Sequence, residues 1–96
     1  MDLTGKQRRQ LRALGHHLNV VVQVGAQGVT AGVVAACEQA LFDHELIKVK
    51  VGDGPEDRHA AAEKLAAATG AEIAQVLGNT VLLFKQRAED SKIKLL

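Results

Sequence analysis

The stretch with the clearest chemical content is Val20 to Val34, VVVQVGAQGVTAGVV. A run of valines leads into Gly25-Ala26-Gln27-Gly28, and Val29 and Thr30 then open a segment of helical composition. The pattern is strand, glycine turn of spacing GxxG, helix start. Glycine at both ends lets the backbone bend where a Cβ would clash. The first N–H groups of the new helix have no intrahelical partner and sit at the positive end of its dipole. Such a junction suits an anion, and in a nucleic acid the anion is a phosphate. Gln27 is the only side-chain donor between the glycines. Thr30 is a helix cap first and a phosphate ligand second. Most strand–glycine–helix junctions are only turns, so this loop does not assign a function by itself.

The other chemistry-bearing residues read more simply. His16 and His17 are adjacent, so their side chains diverge. No second cluster of His, Cys or Asp completes a metal or acid–base site around them. Cys37 falls on the apolar stripe of a helix and reads as core. Asp53, Glu56 and Asp57 could be taken for a Mg²⁺-binding carboxylate cluster, but their position at a helix start accounts for them. No nucleophile–base pair is visible, so the chain is expected not to be an enzyme. No cofactor, metal or small-molecule substrate is expected.

Charge separates by element although the chain as a whole carries only +1. Lys6, Arg8, Arg9 and Arg12 crowd the N-terminal segment against Asp2 alone, and Lys48 and Lys50 lie on one strand. Lys85, Arg87, Lys92 and Lys94 make the chain end basic. The segments 25–47 and 53–72 are both net acidic. A molecule polarised in this way presents one positive surface to a polyanion. The four cations of the first helix cannot all point one way, so two or three of them are expected on that surface. Aromatics are Phe42 and Phe84 only. Readers of unpaired bases stack them on exposed aromatic faces, and no such platform is expected here. Recognition should therefore run through phosphates, sugars and shape.

Ninety-six residues, 47% of them hydrophobic, suit one small domain with a real core. No apolar run is long enough for a membrane span, and the N-terminus lacks the apolar segment of a signal peptide. One cysteine excludes an internal disulfide and fits a reducing compartment, so a cytoplasmic location is expected.

The elements that position these residues follow from pattern. Thr4 and Gln7 have capping-box spacing, and Leu11, Leu14 and Leu18 give a thin stripe for a first helix ended by Gly15. Asn19–Val24 is a strand whose valines suggest burial on both faces. A helix capped by Thr30 runs to about Asp43 on Val33, Val34, Cys37, Ala40 and Leu41. Glu45–Val51 alternates cleanly as a second strand. Asp53 and Glu56, with Pro55 between them, predict the start of an alanine-rich helix that ends at Gly70. Ala71–Leu77 and Thr80–Lys85 are strands joined by a Gly78-Asn79 turn. The apolar run Val81–Phe84 places the last strand inside the sheet. Residues 87–96 form a polar tail, free to be flexible, in which Ile93, Leu95 and Leu96 could dock at a place the sequence does not give. The order is α-β-α-β-α-β-β, an α/β chain of α+β two-layer type with a mixed four-stranded sheet. Right-handed crossovers put both connecting helices on one face.

LTGKQRRQLRALGHHLNVVVQVGAQGVTAGVV, then ELIKVKV, then TGAEIAQVLGNTVLLFK resemble the CRM domain, the chloroplast RNA splicing and ribosome maturation module, and within it the bacterial single-domain YhbY family. The resemblance covers Leu3 to about Lys94. It implies a sheet like that of the C-terminal domain of translation initiation factor three, with the last strand antiparallel to the others and set between the second and third. It implies RNA binding in precursors of the large ribosomal subunit; separately, a monomer is expected. By analogy with the KH module, the family's RNA-contacting GxxG loop falls on Gly25, Ala26, Gln27 and Gly28. Further contacts map onto Lys6, Arg9 and Arg12, and onto Lys48, Lys50 and Lys85. Two departures argue for weaker or less selective binding. Ala26-Gln27 add no charge where relatives often carry a lysine or a small polar residue, and Lys85 stands where relatives commonly carry arginine, so the planar fork is missing. The alternative is a protein-interaction module docking on ribosome assembly factors, with RNA contacts incidental.

Overall fold

The computed structural model describes residues 2–96. Seven elements follow in the expected order: α1 (Gly5–Gly15), β1 (Val20–Val24), α2 (Ala31–His44), β2 (Leu46–Val51), α3 (Arg58–Thr69), β3 (Glu72–Leu77) and β4 (Thr80–Phe84). The sheet order is β1-β2-β4-β3. β1 and β2 are parallel, and β4 runs antiparallel to both β2 and β3. The last strand therefore lies inside the sheet, as the apolar run Val81–Phe84 predicts, and between the second and third, as the family resemblance implies. All four of those residues are buried.

The alternation of side chains divides the core in two. Val22, Val24, Ile47, Val49, Val51, Val81 and Leu83 point to the face covered by α2 and α3, where they meet Cys37, Leu41, Ala61, Ala62 and Leu65. Alanines at 61 and 62 let α3 lie close to the sheet. Leu46, Ala74, Leu82 and Phe84 point to the other face and meet Leu3 and Leu11. Leu11 is the anchor of α1, and burying one leucine is worth about 1.5–3 kcal/mol.

Local capping accounts for most boundaries. Thr4 and Gln7 form the reciprocal capping box, with Gln7 N–H donating to Thr4 Oγ1 at 3.1 Å and Thr4 N–H donating to Gln7 Oε1 at 2.9 Å. The α1 helix does end at Gly15, but without a left-handed cap. His16 caps in the right-handed region. Gly15 is glycine because a Cβ there would stand 2.5 Å from Leu82 Cδ1. The helix thus sits directly on β4.

Three expectations need correction. First, Leu14 and Leu18 are exposed, so the stripe of α1 narrows to Leu11 and Gly15. Second, β1 is an edge strand with only Val22 and Val24 buried, while Val20 and Val21 are open. The cause is common to both: α1 crosses β2, β4 and β3 and leaves the outer face of β1 bare. Third, α3 starts at Arg58 with Asp57, not Asp53, as its N-cap. Asp57 accepts from Ala60 N–H at 2.8 Å, and Glu56 is drawn away to another partner described below.

Residues 87–96 run back along α1 without regular structure. Gln10 Nε2 donates to Lys94 O, Leu96 N–H donates to Gln10 Oε1, and Gln7 Nε2 donates to Leu96 O. Ile93 and Leu95 pack on the α1-side core. The clasp is Glu45, which is fully buried at the C-terminus of α2 with φ of 65°. Its carboxylate accepts from Arg87 N–H (2.7 Å), Ser91 Oγ (2.8 Å), Lys92 N–H and Ile93 N–H (3.2 Å). Desolvation would raise the pKa of this group. The four hydrogen bonds outweigh it and hold the carboxyl below its ordinary value.

Candidate nucleic-acid interface

The glycine loop leaves the sheet at the C-terminal end of β1. Gly28 N–H donates to Gly25 O at 3.0 Å, which closes a turn with Ala26 and Gln27 at its tip. Gly25, Ala26 and Gln27 are exposed, whereas Gly28 is buried. Gly28 has φ of +78°, and a Cβ on it would lie 2.4 Å from Glu56 Oε2 and 2.8 Å from Pro55 Cγ. Gly25 is unlike it: nothing lies within 4 Å of a Cβ placed there. The segment 52–57 therefore walls the loop on one side and leaves its tip open.

Glu56 is the strut between these two loops. Its Oε1 accepts from Val29 N–H at 3.1 Å and from Lys64 Nζ at 3.3 Å. The bond from Val29 is the main reason that its carboxyl lies below the ordinary value, with Lys64 adding to it. One of the amides beside the turn is therefore already taken by a carboxylate. Thr30 caps α2 by accepting from Val33 N–H at 3.2 Å. At the start of α2, the amides of Ala31 and Gly32 lie within the first turn, which lacks intrahelical acceptors. Among the described residues, no acceptor takes the amides of Ala26 and Gln27.

The strands extend this edge into a polar surface. Gln23 pairs with Lys50, Lys50 with Thr80, and Thr80 with Leu77, one row across all four strands. The next row is Lys48, Leu82 and Gln75. Both rows face the α1 side, because their neighbours Val49, Val51 and Val81 face the other. Above the second row the last turn of α1 brings Arg12 and His16 into a small cavity with Lys48, Gln75 and Thr80. Arg12, Lys48 and Lys50 have no carboxylate partner among the described residues.

A family model, the CRS1 / YhbY (CRM) domain, matches residues 3–85. The chain belongs to that family. A Bacillus subtilis member carrying the name "probable RNA-binding protein YqeI" is 40% identical over 94 residues, which span 97% of this chain and 98% of its own. A "probable RNA-binding protein" of Pseudomonas aeruginosa is 39% identical over 93 residues, 96% of this chain and 89% of its own. An "RNA-binding protein" of Haemophilus influenzae is 42% identical over 94 residues, 97% of this chain and 94% of its own. The solution structure of a Staphylococcus aureus protein described as a candidate RNA-binding protein superposes with a TM-score of 0.85 at 34% identity, covering 99% of this chain and 100% of that one.

Within this CRM domain the residues named from sequence fall into three groups. Gly25, Ala26, Gln27, Lys50, Lys48 and Arg12 share one continuous edge and face, and Gly28 and Thr30 shape the loop from beneath. Lys6 and Arg9 are exposed at i, i+3 steps before Arg12 along α1, with the Arg9 guanidinium folded back toward Gly5. Lys85 is elsewhere. It follows Phe84, which pairs with the first residue of β2, so it stands at the end of the sheet opposite the glycine loop. Its Nζ donates to Thr69 O at 2.7 Å and closes the C-terminus of α3. Arg8 is also engaged: its guanidinium donates to Ile73 O and pins α1 to the edge strand β3.

Sequence reasoning missed Glu56 as a loop strut, because the same residue reads as a helix cap. It also missed His16, Gln75 and Thr80, which only the strand register brings together. One aromatic face is open after all: Phe42 is 65% exposed, beside the Arg87 guanidinium. It lies in the last turn of α2, away from the glycine loop. Cys37 is buried in the core, and burial pushes its thiol up to about 11. Among the described residues no group of three or more His, Cys, Asp or Glu is placed to hold a metal, and no helix is long and apolar enough to cross a membrane.

Proposed function

We propose that this protein is a non-catalytic RNA-binding protein that holds structured ribosomal precursor RNA during assembly of the large subunit. The observation that carries the reading is the open tip Gly25–Gln27 continuous with unpaired Lys50, Lys48 and Arg12. Turn amides and the start of α2 offer donors to one phosphate, and the cations receive its neighbours along the strand. The relatives' names support RNA as the partner. The assembly role rests on family resemblance.

Three phosphates neutralised by Arg12, Lys48 and Lys50 give a log–log salt slope of about −2 to −3. Affinity for a large-subunit RNA fragment should then fall about 15–65-fold between 50 and 200 mM salt. A filter-binding titration measures this, and a flat salt response refutes the reading. Crosslinking with sequencing of the bound RNA should show a sharp peak in large-subunit precursor.

Docking on an assembly factor is the second reading. It is favoured by an apolar groove of about 400 Å³ beside edge strand β1, lined by Leu14, Leu18, Val21 and Ile93 among others. Nuclease treatment separates the two: co-purification with ribosomal particles is lost under the first reading and retained under the second.

A further inference from the structure

The last turn of α1 and the polar face of the sheet enclose a cavity of about 120 Å³. Arg12 and His16 line it from α1, Lys48 from β2, Gln75 from β3 and Thr80 from β4, with Leu82 among the apolar lining. Lys48, Gln75 and Thr80 are half-buried. Among the described residues the side chains of Lys48, Arg12 and Gln75 have no hydrogen-bond or ion-pair partner. Gln7, Gln10, Gln39 and Gln86 are engaged, and of the described glutamine side chains without a partner, Gln23 and Gln27 are exposed whereas Gln75 is half-buried. Thr80 Oγ1 donates to Leu77 O, so its lone pairs are what it offers the cavity.

Half-buried polar groups without partners, beside unpaired cations, describe a ligand with the same mixture. A stacked base is a poorer match, because the His16 imidazole is the one ring among the lining residues. A ribose matches it. Its C–H face suits Leu82, its 2′-hydroxyl both donates and accepts, and the phosphates on either side of it suit Arg12 and Lys48.

Resting on the RNA-binding reading above, we infer that this cavity is a ribose subsite in which Gln75, with Thr80, reads the 2′-hydroxyl of the bound strand. The row from Gln23 through Lys50 to Thr80 connects it to the glycine turn. β1 and β3 are three strand spacings apart, about 14 Å at about 4.8 Å each, so one RNA segment reaches both. The subsite supplies what cation contacts lack. Phosphate contacts position a nucleic acid but carry no information about its sugar.

The test compares a ribosomal RNA hairpin with the same hairpin 2′-O-methylated throughout, by fluorescence anisotropy. The two probes have equal charge; methylation removes the hydroxyl donor and adds a methyl group, whose steric effect the Gln75 variants share with the wild type. The wild-type protein should prefer the unmodified hairpin by about three- to tenfold, the discrimination of one hydrogen bond. Gln75→Leu should bring the two probes within twofold of each other and leave the salt slope unchanged. Arg12→Gln should weaken both probes equally and keep the ratio. Gln75→Glu has the same size, sets a negative charge against the strand and should weaken both. Equal wild-type affinity for the two hairpins overturns the inference. So does full preference in Gln75→Leu, or normal binding by Gln75→Glu. If the wild-type protein binds neither hairpin, the RNA-binding reading itself fails, which is a different result from lost discrimination alone.

Discussion

The two glycines of the GxxG loop make opposite demands, and substituting each by alanine separates folding from binding. Gly28 has φ of +78°. Holding alanine in that left-handed region costs about 1–2 kcal/mol before any contact is counted. The new methyl would also meet Pro55 Cγ at 2.8 Å and both oxygens of Glu56 within 3.0 Å. Overpacking of this kind adds about 1–2 kcal/mol. Gly28→Ala should therefore lose about 2–4 kcal/mol, which for a chain of this size lowers Tm by about 10–25 °C. Gly25 has no positive φ and open space around it. Gly25→Ala should stay within about 0.5 kcal/mol of wild type. The same open space is where an RNA backbone would approach the turn amides. The Gly25 variant should therefore bind RNA several-fold more weakly while melting normally. Thermal unfolding followed by circular dichroism, with anisotropy titration of the same samples, reads both quantities. Equal stability of the two variants would refute the account of Gly28. Wild-type affinity in Gly25→Ala would refute close approach at the turn.

Further outcomes follow from the same geometry. Glu45→Ala leaves four donors without their acceptor and should cost about 2–4 kcal/mol. Hydrogen exchange at Arg87, Lys92 and Ile93 should speed up in that variant, and unchanged exchange would show that the tail is held by something else. Arg12→Gln or Lys48→Gln should each reduce the salt slope by about one. Lys85→Gln should leave RNA affinity within twofold and cost about 0.5–1 kcal/mol through the uncapped end of α3, as paired titrations and melts would show. The carboxyls of Glu45, Glu56 and Asp57 all lie below their ordinary values in the folded protein. Their contribution is complete above the unfolded carboxylate range, about pH 4, and is lost as pH falls through the folded values. Tm should therefore drop on acidification below about pH 4, with a shallower drop in Glu45→Gln. A Tm that rises in that range contradicts the assignment.

Much of the fold was legible because it rests on local chemistry. The Thr4–Gln7 box, the Thr30 cap, the Gly78-Asn79 hairpin and the two-residue alternation of Glu45–Val51 each involve neighbours in sequence. The family resemblance then supplied the insertion of β4, which no local rule gives. The errors share one origin. Leu14, Leu18, Val20 and Val21 have core-like types, but their burial depends on where α1 crosses the sheet, and that is settled by Leu11 and Gly15 meeting Leu82. Glu56 misled for a related reason: capping-box spacing is satisfied by Asp53, yet a partner 27 residues away, Val29, holds the carboxylate. At the candidate interface, the glycine turn was readable from spacing, and Arg12 with Lys48 from charge. Gln75 and Thr80 carry no signal until the register of three strands sets them side by side. Lys85 was separated from the rest by topology, since an antiparallel last strand ends at the far side of the sheet.

That last strand also governs the order in which the molecule can come into being. β2 and β3 touch only through β4, so a nascent chain that has emerged through Leu77 holds a parallel pair and a detached strand with a vacant slot between them. Val81 and Leu83 fill the one side of that slot and Leu82 and Phe84 the other. Both hydrophobic layers therefore stay open until Thr80–Phe84 are in place. The clasp at Glu45 waits longer still, for Arg87 to Ile93. The first helix meets Leu82 of the last strand through Leu11 and Gly15, so its own seat on the sheet is complete only once β4 is in place.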